Sequence, residues 1–567
     1  MSVPRRRRVS PRRAGGAALA VVATGLTACD GGERAARNAR RGVAETVVIA
    51  VAAEPTSLLP PFATDLVSRV LVDQLYRRLA DPVPGFSPVG DRDYRPGLAS
   101  RWAWGVDSLT VRFTLDSTAR WHDGRPVTSR DVAFTLGALR DSATNSVRGS
   151  DIAMLVDSVT TPDPHTAVVW ARRRAPALFH HVTYDAPLLP AHLLDTVPRG
   201  ALHAHPLNHH PVGSGPFRLA AWTARERVDL VATHPDAGRV GRVVVRVLPD
   251  YQAKVAAFAS GEADVLDYVT PEDAVRLARR PDVRVLRLPA YDYAFLQFNL
   301  RAPNGKGAPH PLFGDRELRR ALAMAVDRRA IVANVLDTLG YVALGPVTRA
   351  QATADTTLLT PAYDPAAART LLDSLGWRVG AAADRTPFGT DVRRRHGRRL
   401  SFALVVPSSS ANRVRAAVLL QRMLAEVGAD VRIEQYDAAA VQAALEAGRF
   451  DAALNGLRVD VDPAGVRDVW GGEAARTGRG FNFGGYASVR VDRLVDSADR
   501  AMDPAAAAAL YRRAYQHIID DAPAVFLYEP VSLVAVRARL RPARVRADAW
   551  WAGLADWTAA PRRAPTP

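Results

Sequence analysis

The sequence predicts an α/β protein built of two or more lobes, on three observations. The strand-like runs Phe402–Val406 and Val431–Gln435 flank a helical stretch from Arg413 to Val427, the strand–helix–strand signature of a parallel pair. β-Branched apolar runs such as Thr46–Val51 and Val243–Leu248 read as buried strands. The 567 residues, 48% apolar and 23% charged, exceed what one hydrophobic core holds and exclude global disorder.

The N-terminus reads as a targeting segment. Arg5, Arg6, Arg7, Arg8, Arg12 and Arg13 precede an apolar stretch from Ala14 to Gly25, then Leu26, Thr27, Ala28 and Cys29. A basic start, a short apolar run and small residues before a cut site describe a secretory signal peptide, here residues 1–28. The apolar run of about 12 residues falls short of the roughly 20 that a spanning helix needs. Leu26–Cys29 resembles the bacterial lipobox, which implies cleavage before Cys29 and a lipid anchor on its thiol, at the periplasmic or extracellular face of the cytoplasmic membrane. Residues 29–45, small, polar and Arg-rich, read as a flexible tether. Cys29 is the only cysteine, which excludes a disulfide framework and multi-cysteine metal sites. The net charge of +17 invites a nucleic-acid reading. Against it, six arginines lie in the signal region and the rest of the excess is spread thinly, so no nucleic-acid partner is expected.

Ordered sequence starts at Thr46. Val67, Val70, Leu71, Leu75 and Leu79 share one helical face. Leu109–Leu115 alternates as a half-buried strand. Thr128 or Ser129 caps a helix from Val132 to Leu139, with Asp131 at its positive end. A helix from Ala253 to Ser260 stops at Gly261, a short strand follows at Val265–Leu266, and Pro271 opens a further helix. Long Ala-rich helices are expected over Arg316–Leu339 and Pro365–Leu375. Residues 380–398, rich in Arg and Gly, read as a surface loop, and residues 558–567 as a frayed tail.

Several blocks carry a resemblance. They are Glu54 to Pro60, Tyr94 to Trp102, Ala119 to Phe134, Pro211 to Phe217, Ser260 to Leu266, Phe298–Asn299 with Arg319 to Asp327, Tyr363 to Trp377, and Asp521 to Pro523. In this order they resemble the family 5 extracellular solute-binding proteins of bacterial ABC importers, which include oligopeptide-, dipeptide- and nickel-binding proteins. The resemblance implies a two-lobed class II (cluster C) periplasmic-binding-protein fold. Lobe I is residues 46–294, with an inserted subdomain near 80–200, plus a return at 525–557; lobe II is residues 295–524. Hinge crossings are expected near Ala294–Asn299 and Val525–Tyr528. The function implied is capture of a peptide, an oligopeptide by expectation, in the interlobe cleft and delivery to permease and ATPase subunits. The binding chain is then a monomer without catalysis or cofactor. A nickel chelate, glycan or other small solute on the same fold, or a peptide sensor or chaperone without transport, remain as alternatives.

The resemblance also points to ligand-binding residues. The family holds a peptide amine on an Asp after a Gly-Trp-x-x-Asp stretch; here that is Gly456 to Asp460, with Leu457 for the Trp. The other reading is that Asp460 or Asp462 shapes the turn before Pro463. The loop Ser408, Ser409, Ser410 stands where dipeptide-specific members present an Arg; this loop holds no Arg before Arg413, which favours longer peptides or another ligand. Trp470, Asn482, Phe483 and Tyr486 fall where the second lobe lines the cleft, with core as the alternative. Tyr291 and Tyr293 are read as structural. His203, His205, His209 and His210 match no metal-ligand spacing on a regular element, so no metal is expected. His122 and Asp123, and the glycines of Gly213–Phe217, read as turn formers rather than a catalytic pair or a phosphate loop. No G-x-S-x-G, H-E-x-x-H or P-loop occurs, which argues against an enzyme.

Overall fold

The structure, a computed structural model, describes residues 44–303, 307–380 and 384–561. The expected signal peptide, Cys29 and all but the end of the tether lie outside the described residues. Among the described residues no helix is long and apolar enough to cross a membrane.

A 12-stranded mixed sheet runs through both lobes. In the first lobe, Glu45–Val51 pairs in parallel with Val240–Val247 and with Val265–Leu266, and Arg227–Ala232 and Phe217–Thr223 extend the sheet antiparallel. The buried run from Val47 to Val51 matches a strand covered on both faces. In the second lobe, Asp292–Phe298 pairs antiparallel with Ala452–Arg458, which lies parallel to Ser401–Pro407. The expected strand–helix–strand unit is present: Ser401–Pro407 and Asp430–Tyr436 are parallel, joined by helix Ala411–Ala425. The two largest apolar clusters among the described residues lie around Val47, Leu71, Phe113 and Trp557 and around Leu296, Leu322, Phe402 and Leu420.

One 14-residue strand, Ala524–Arg537, belongs to both lobes. Its first part pairs with Ala294–Gln297 and its second part with Val283–Pro289. The exchange of partner falls between Pro289 and Asp292 and between Tyr528 and Val531, close to the expected crossings but nearer the lobe junction. The inserted subdomain carries a four-stranded antiparallel sheet, Ala99–Trp104, Thr110–Leu115, Thr166–Ala171 and Val156–Asp163. Helix Ser129–Arg140 packs on it, opened by a capping box between Thr128 and Asp131.

Four expectations need correction. The helical face foreseen through Leu79 stops at Leu75, because helix Leu66–Leu75 is followed by Tyr76 in extended conformation. The helix foreseen over Arg316–Leu339 is two, Arg316–Met324 and Arg328–Val335, because Asp327 turns out of the helix and caps the second by accepting from the Ala330 N–H. The surface loop at 380–398 contains part of a small three-stranded sheet, Arg378–Val379, Arg393–Arg395 and Arg398–Arg399. Its hairpin turns at His396 and Gly397, with φ of 51° and 78°. Ion pairs rather than apolar contacts hold it: Arg394 and Arg399 both reach Asp384, at 2.6 and 2.7 Å. The tail is ordered at its start, since Thr558–Ala559 pairs with Leu540–Arg541 beside the fully buried Trp557.

Candidate ligand-binding site

The strand Ala452–Arg458 ends at the lobe junction and releases the loop Val459–Asp462, after which helix Val466–Trp470 begins. This segment faces the first lobe across a cavity of about 330 Å³. The second-lobe wall includes Leu457, Asp460, Asp462, Asp468 and Trp470; the first-lobe wall includes Arg69, Arg148, Tyr184 and Asp548; Tyr291 and Tyr293 lie at the hinge. Such a volume is at the small end of small-molecule sites. A larger cavity of about 900 Å³ lies wholly in the first lobe, between Arg78, Trp121 and Arg546, and none of the expected site residues lines it. We place the candidate site at the smaller one because only there do both lobes and the hinge contribute.

Two charged contacts bridge the cavity. Arg148, just before helix Gly149–Leu155, places Nη1 2.7 Å from Asp460 Oδ2 and Nε 3.4 Å from Asp185. His181 lies near the C-terminus of helix Leu178–Thr183, where a cation suits the helix dipole. Its Nδ1 is 2.7 Å from Asp185 Oδ2 and its Nε2 3.2 Å from Asp462 Oδ2. Burial disfavours the imidazolium, but the hydrogen bonds and charges of the two carboxylates outweigh it and push the His181 pKa up to about 10. Burial likewise opposes ionisation of Asp185, yet Arg148 and the paired histidine hold it well below the usual carboxylate range. Asp462 is lowered in the same way, against burial, by His181 and the Ala464 N–H. The neighbouring His180 is a different case. Burial lowers its pKa, and its Nδ1 meets the Tyr94 hydroxyl at 2.8 Å.

Of the residues expected from sequence, Asp460 and Trp470 line this cavity, as do Tyr291 and Tyr293. Asp460 and Asp462 also shape the loop: Asp460 Oδ1 accepts from the Val461 N–H at 2.6 Å, and Asp462 Oδ1 from the Ala464 N–H at 2.9 Å. The turn-shaping reading of this acidic pair therefore describes real contacts, and both residues also line the cavity. Trp470 is 2% exposed and donates its Nε1–H to Tyr293 Oη, so it serves core and wall together. The other expected residues lie outside the cavity wall. Gly456 is in the strand, where a Cβ would stand 2.5 Å from the Arg413 guanidinium. Ser408, Ser409 and Ser410 follow strand Ser401–Pro407, with Ser410 capping helix Ala411–Ala425. Asn482 Nδ2 donates to the Gly471 and Tyr486 carbonyls, and the Tyr486 hydroxyl donates to Asp521. Phe483 packs by Phe450 and Val405.

Sequence reasoning missed Arg148, His181, Asp185 and Asp468. No local pattern marks Arg148 and His181, whose second-lobe partners lie 312 and 281 residues away, and Asp185 gains its role only by joining those two. The turn reading fits Asp123, whose Oδ1 accepts from the Arg125 N–H at 3.0 Å, while His122 reaches a distant segment: its Nε2 meets the Gly215 carbonyl at 3.1 Å and its Nδ1 accepts from the Gly213 N–H at 3.2 Å. Among the described residues no three His, Cys, Asp or Glu side chains converge as metal ligands; His209 instead packs against Trp222.

The comparisons with known proteins agree with this architecture. The family model "Bacterial extracellular solute-binding proteins, family 5 Middle" matches residues 93–475. The oligopeptide-binding protein AppA of Bacillus subtilis is 25% identical over 557 residues, covering 94% of this chain and 97% of that protein. The solved structure of AppA with a nonapeptide superposes with a TM-score of 0.69 at 23% identity, over 91% of this chain and 99% of that one. NikZ of Campylobacter jejuni, solved with Ni(L-His), superposes at 0.70 and 21% identity, over 90% and 99%.

Proposed function

Because the chain belongs to family 5 of the bacterial extracellular solute-binding proteins, we propose that it is the binding component of an ABC importer. In this reading it is anchored through Cys29, takes a peptide between its lobes and presents the closed form to a membrane permease. The observation that carries the reading is the cavity at the lobe junction. It is walled by both lobes and by Tyr291 and Tyr293, beside the point where strand Ala524–Arg537 changes partners. Closure around such a site turns occupancy into a change of shape that a partner can read. The similarity to a protein named for oligopeptide binding supports a peptide as the ligand class. The binding chain itself performs no chemistry; ATP hydrolysis belongs to another subunit.

The test is native mass spectrometry of the purified protein lacking residues 1–29, before and after mild denaturation. A series of released masses built of amino-acid increments supports a sequence-tolerant peptide binder. A single non-peptide mass or a metal adduct would sink the peptide assignment and keep the scaffold. An empty protein is then screened by thermal shift with peptides, sugars and nickel–histidine, where ligand-linked stabilisation identifies the class.

A further inference from the structure

Four carboxylates line the cleft cavity: Asp460, Asp462, Asp468 and Asp548. Three already have cationic partners from the protein. Asp460 holds Arg148 on one oxygen and its own loop N–H groups on the other. Asp462 holds His181. Asp548 takes both nitrogens of Arg546, at 3.0 Å each, and the Tyr184 hydroxyl. Arg458 is likewise committed, to Asp292 at 3.0 Å.

Asp468 is different. Its side chain has no ion-pair or hydrogen-bond partner among the described residues, since the adjacent Arg467 is turned to Asp496 and Asp499. It projects from helix Val466–Trp470 beside Trp470 and Phe481 on the cavity wall. Burial raises its pKa, and the charges of Asp460 and Asp462 add to the rise, more than Arg467 offsets. Asp468 is also solvent-exposed, so an incoming cation there replaces water rather than a protein partner. Across the cavity, Arg69 on helix Leu66–Leu75 is exposed and also has no partner among the described residues. After internal pairing, the cleft thus retains one free anion on the second lobe and one free cation on the first.

We propose that Asp468, rather than Asp460, receives the amine of a peptide ligand, with Arg69 facing its carboxylate, and that Arg148 occupies the seat at Asp460. The assignment rests on the peptide reading above and specifies the ligand as a short zwitterion laid from lobe to lobe. A ligand ammonium at Asp460 has to displace a guanidinium that already makes a 2.7 Å charge-assisted contact, whereas at Asp468 it displaces only water.

The experiment compares a mixed tripeptide library with the same library N-acetylated, bound to the purified protein and quantified by native mass spectrometry. The readout is the ratio of free-amine to acetylated affinity, which a general loss of closure leaves unchanged. Wild-type protein is expected to prefer the free amine tenfold or more. Asp468→Asn should bring the ratio close to one, Asp468→Glu should keep most of it, and Asp460→Asn should preserve it even where both affinities change. Collapse of the ratio in Asp460→Asn but not in Asp468→Asn overturns the assignment alone. A wild-type protein that binds neither library overturns the peptide reading, and the assignment with it.

Discussion

His181 offers the sharpest test of how the cleft is held shut. Replacing it by Gln removes a buried cation that touches Asp185 on its own lobe and Asp462 on the other. Asp185 keeps Arg148 at 3.4 Å, but Asp462, whose side chain is 14% exposed, keeps only the Ala464 N–H. Stranding one charge of a buried pair costs about 3–5 kcal/mol, and Asp462's residual partner and exposure put this case near 3. The lobes can relieve that cost by separating, which lets water reach Asp462. The variant should therefore show a larger radius of gyration by small-angle scattering at pH 6, and an earlier melt. The pH dependence has a definite sign. His181 has a raised pKa, so its contribution in the wild type is complete below its ordinary value near 6.5 and fades as pH rises through about 10. The difference between wild type and variant should accordingly be largest near pH 6 and shrink toward pH 10. An equal radius and equal melting point at pH 6 would refute the argument, since they would mean that His181 carries no charge across the lobes.

Three further outcomes concern other parts of the chain. Asp131 is 3% exposed and accepts from the Thr128 and Ala191 N–H groups at 2.7 and 2.9 Å, so Asp131→Ala should cost about 3 kcal/mol in urea unfolding, with Asp131→Asn losing less. A Cβ on Gly213 would lie 1.8 Å from the Leu75 carbonyl oxygen, which already accepts from Gly215, so Gly213→Ala should force the backbone apart and destabilise by about 2–3 kcal/mol, read as a lowered melting temperature. Under the proposed lipid anchoring, Cys29→Ser should move the protein from the membrane fraction to the soluble fraction on cell fractionation, and an unchanged distribution would refute that anchor.

Much of the scaffold was legible because short-range chemistry determines it. The Thr128–Asp131 cap, the Gly261 stop at φ 91° and the parallel pair around helix Ala411–Ala425 each follow from neighbouring residues. The failures have a common cause. The break at Asp327, the Arg-held hairpin on Asp384 and the ordered start of the tail all depend on partners or on a competing cap that apolar periodicity does not register. In the site, Asp460 was visible only through the resemblance, because it falls in a short motif of the family. Arg148 and His181 were not, since their meaning comes only from folding that brings the subdomain over the acidic loop. The serine loop shows the converse: hydrogen-bonding residue types near the expected cleft, yet spent on turning the chain and capping a helix outside the cavity wall.

The internal pairs also constrain what a ligand must do. Arg148 and Asp460 are each about one-third exposed, so their contact is worth about 1 kcal/mol at most, and the His181 contact is the stronger bridge. A cleft closed by its own ion pairs transmits no information about occupancy unless the ligand adds interactions that exist only when closed, because a ligand with equal affinity for both states shifts neither. Arg69 and Asp468 supply that difference in the proposed arrangement, being exposed charges on opposite walls that one zwitterion reaches together only while the lobes are close. Empty and filled closed forms then differ by the two charged ends of the ligand. Blocking one end should weaken closure as well as affinity, so acetylated tripeptides should leave the scattering radius nearer that of the empty protein than free tripeptides do at equal occupancy. Equal compaction by both libraries would break the link between charge satisfaction and closure.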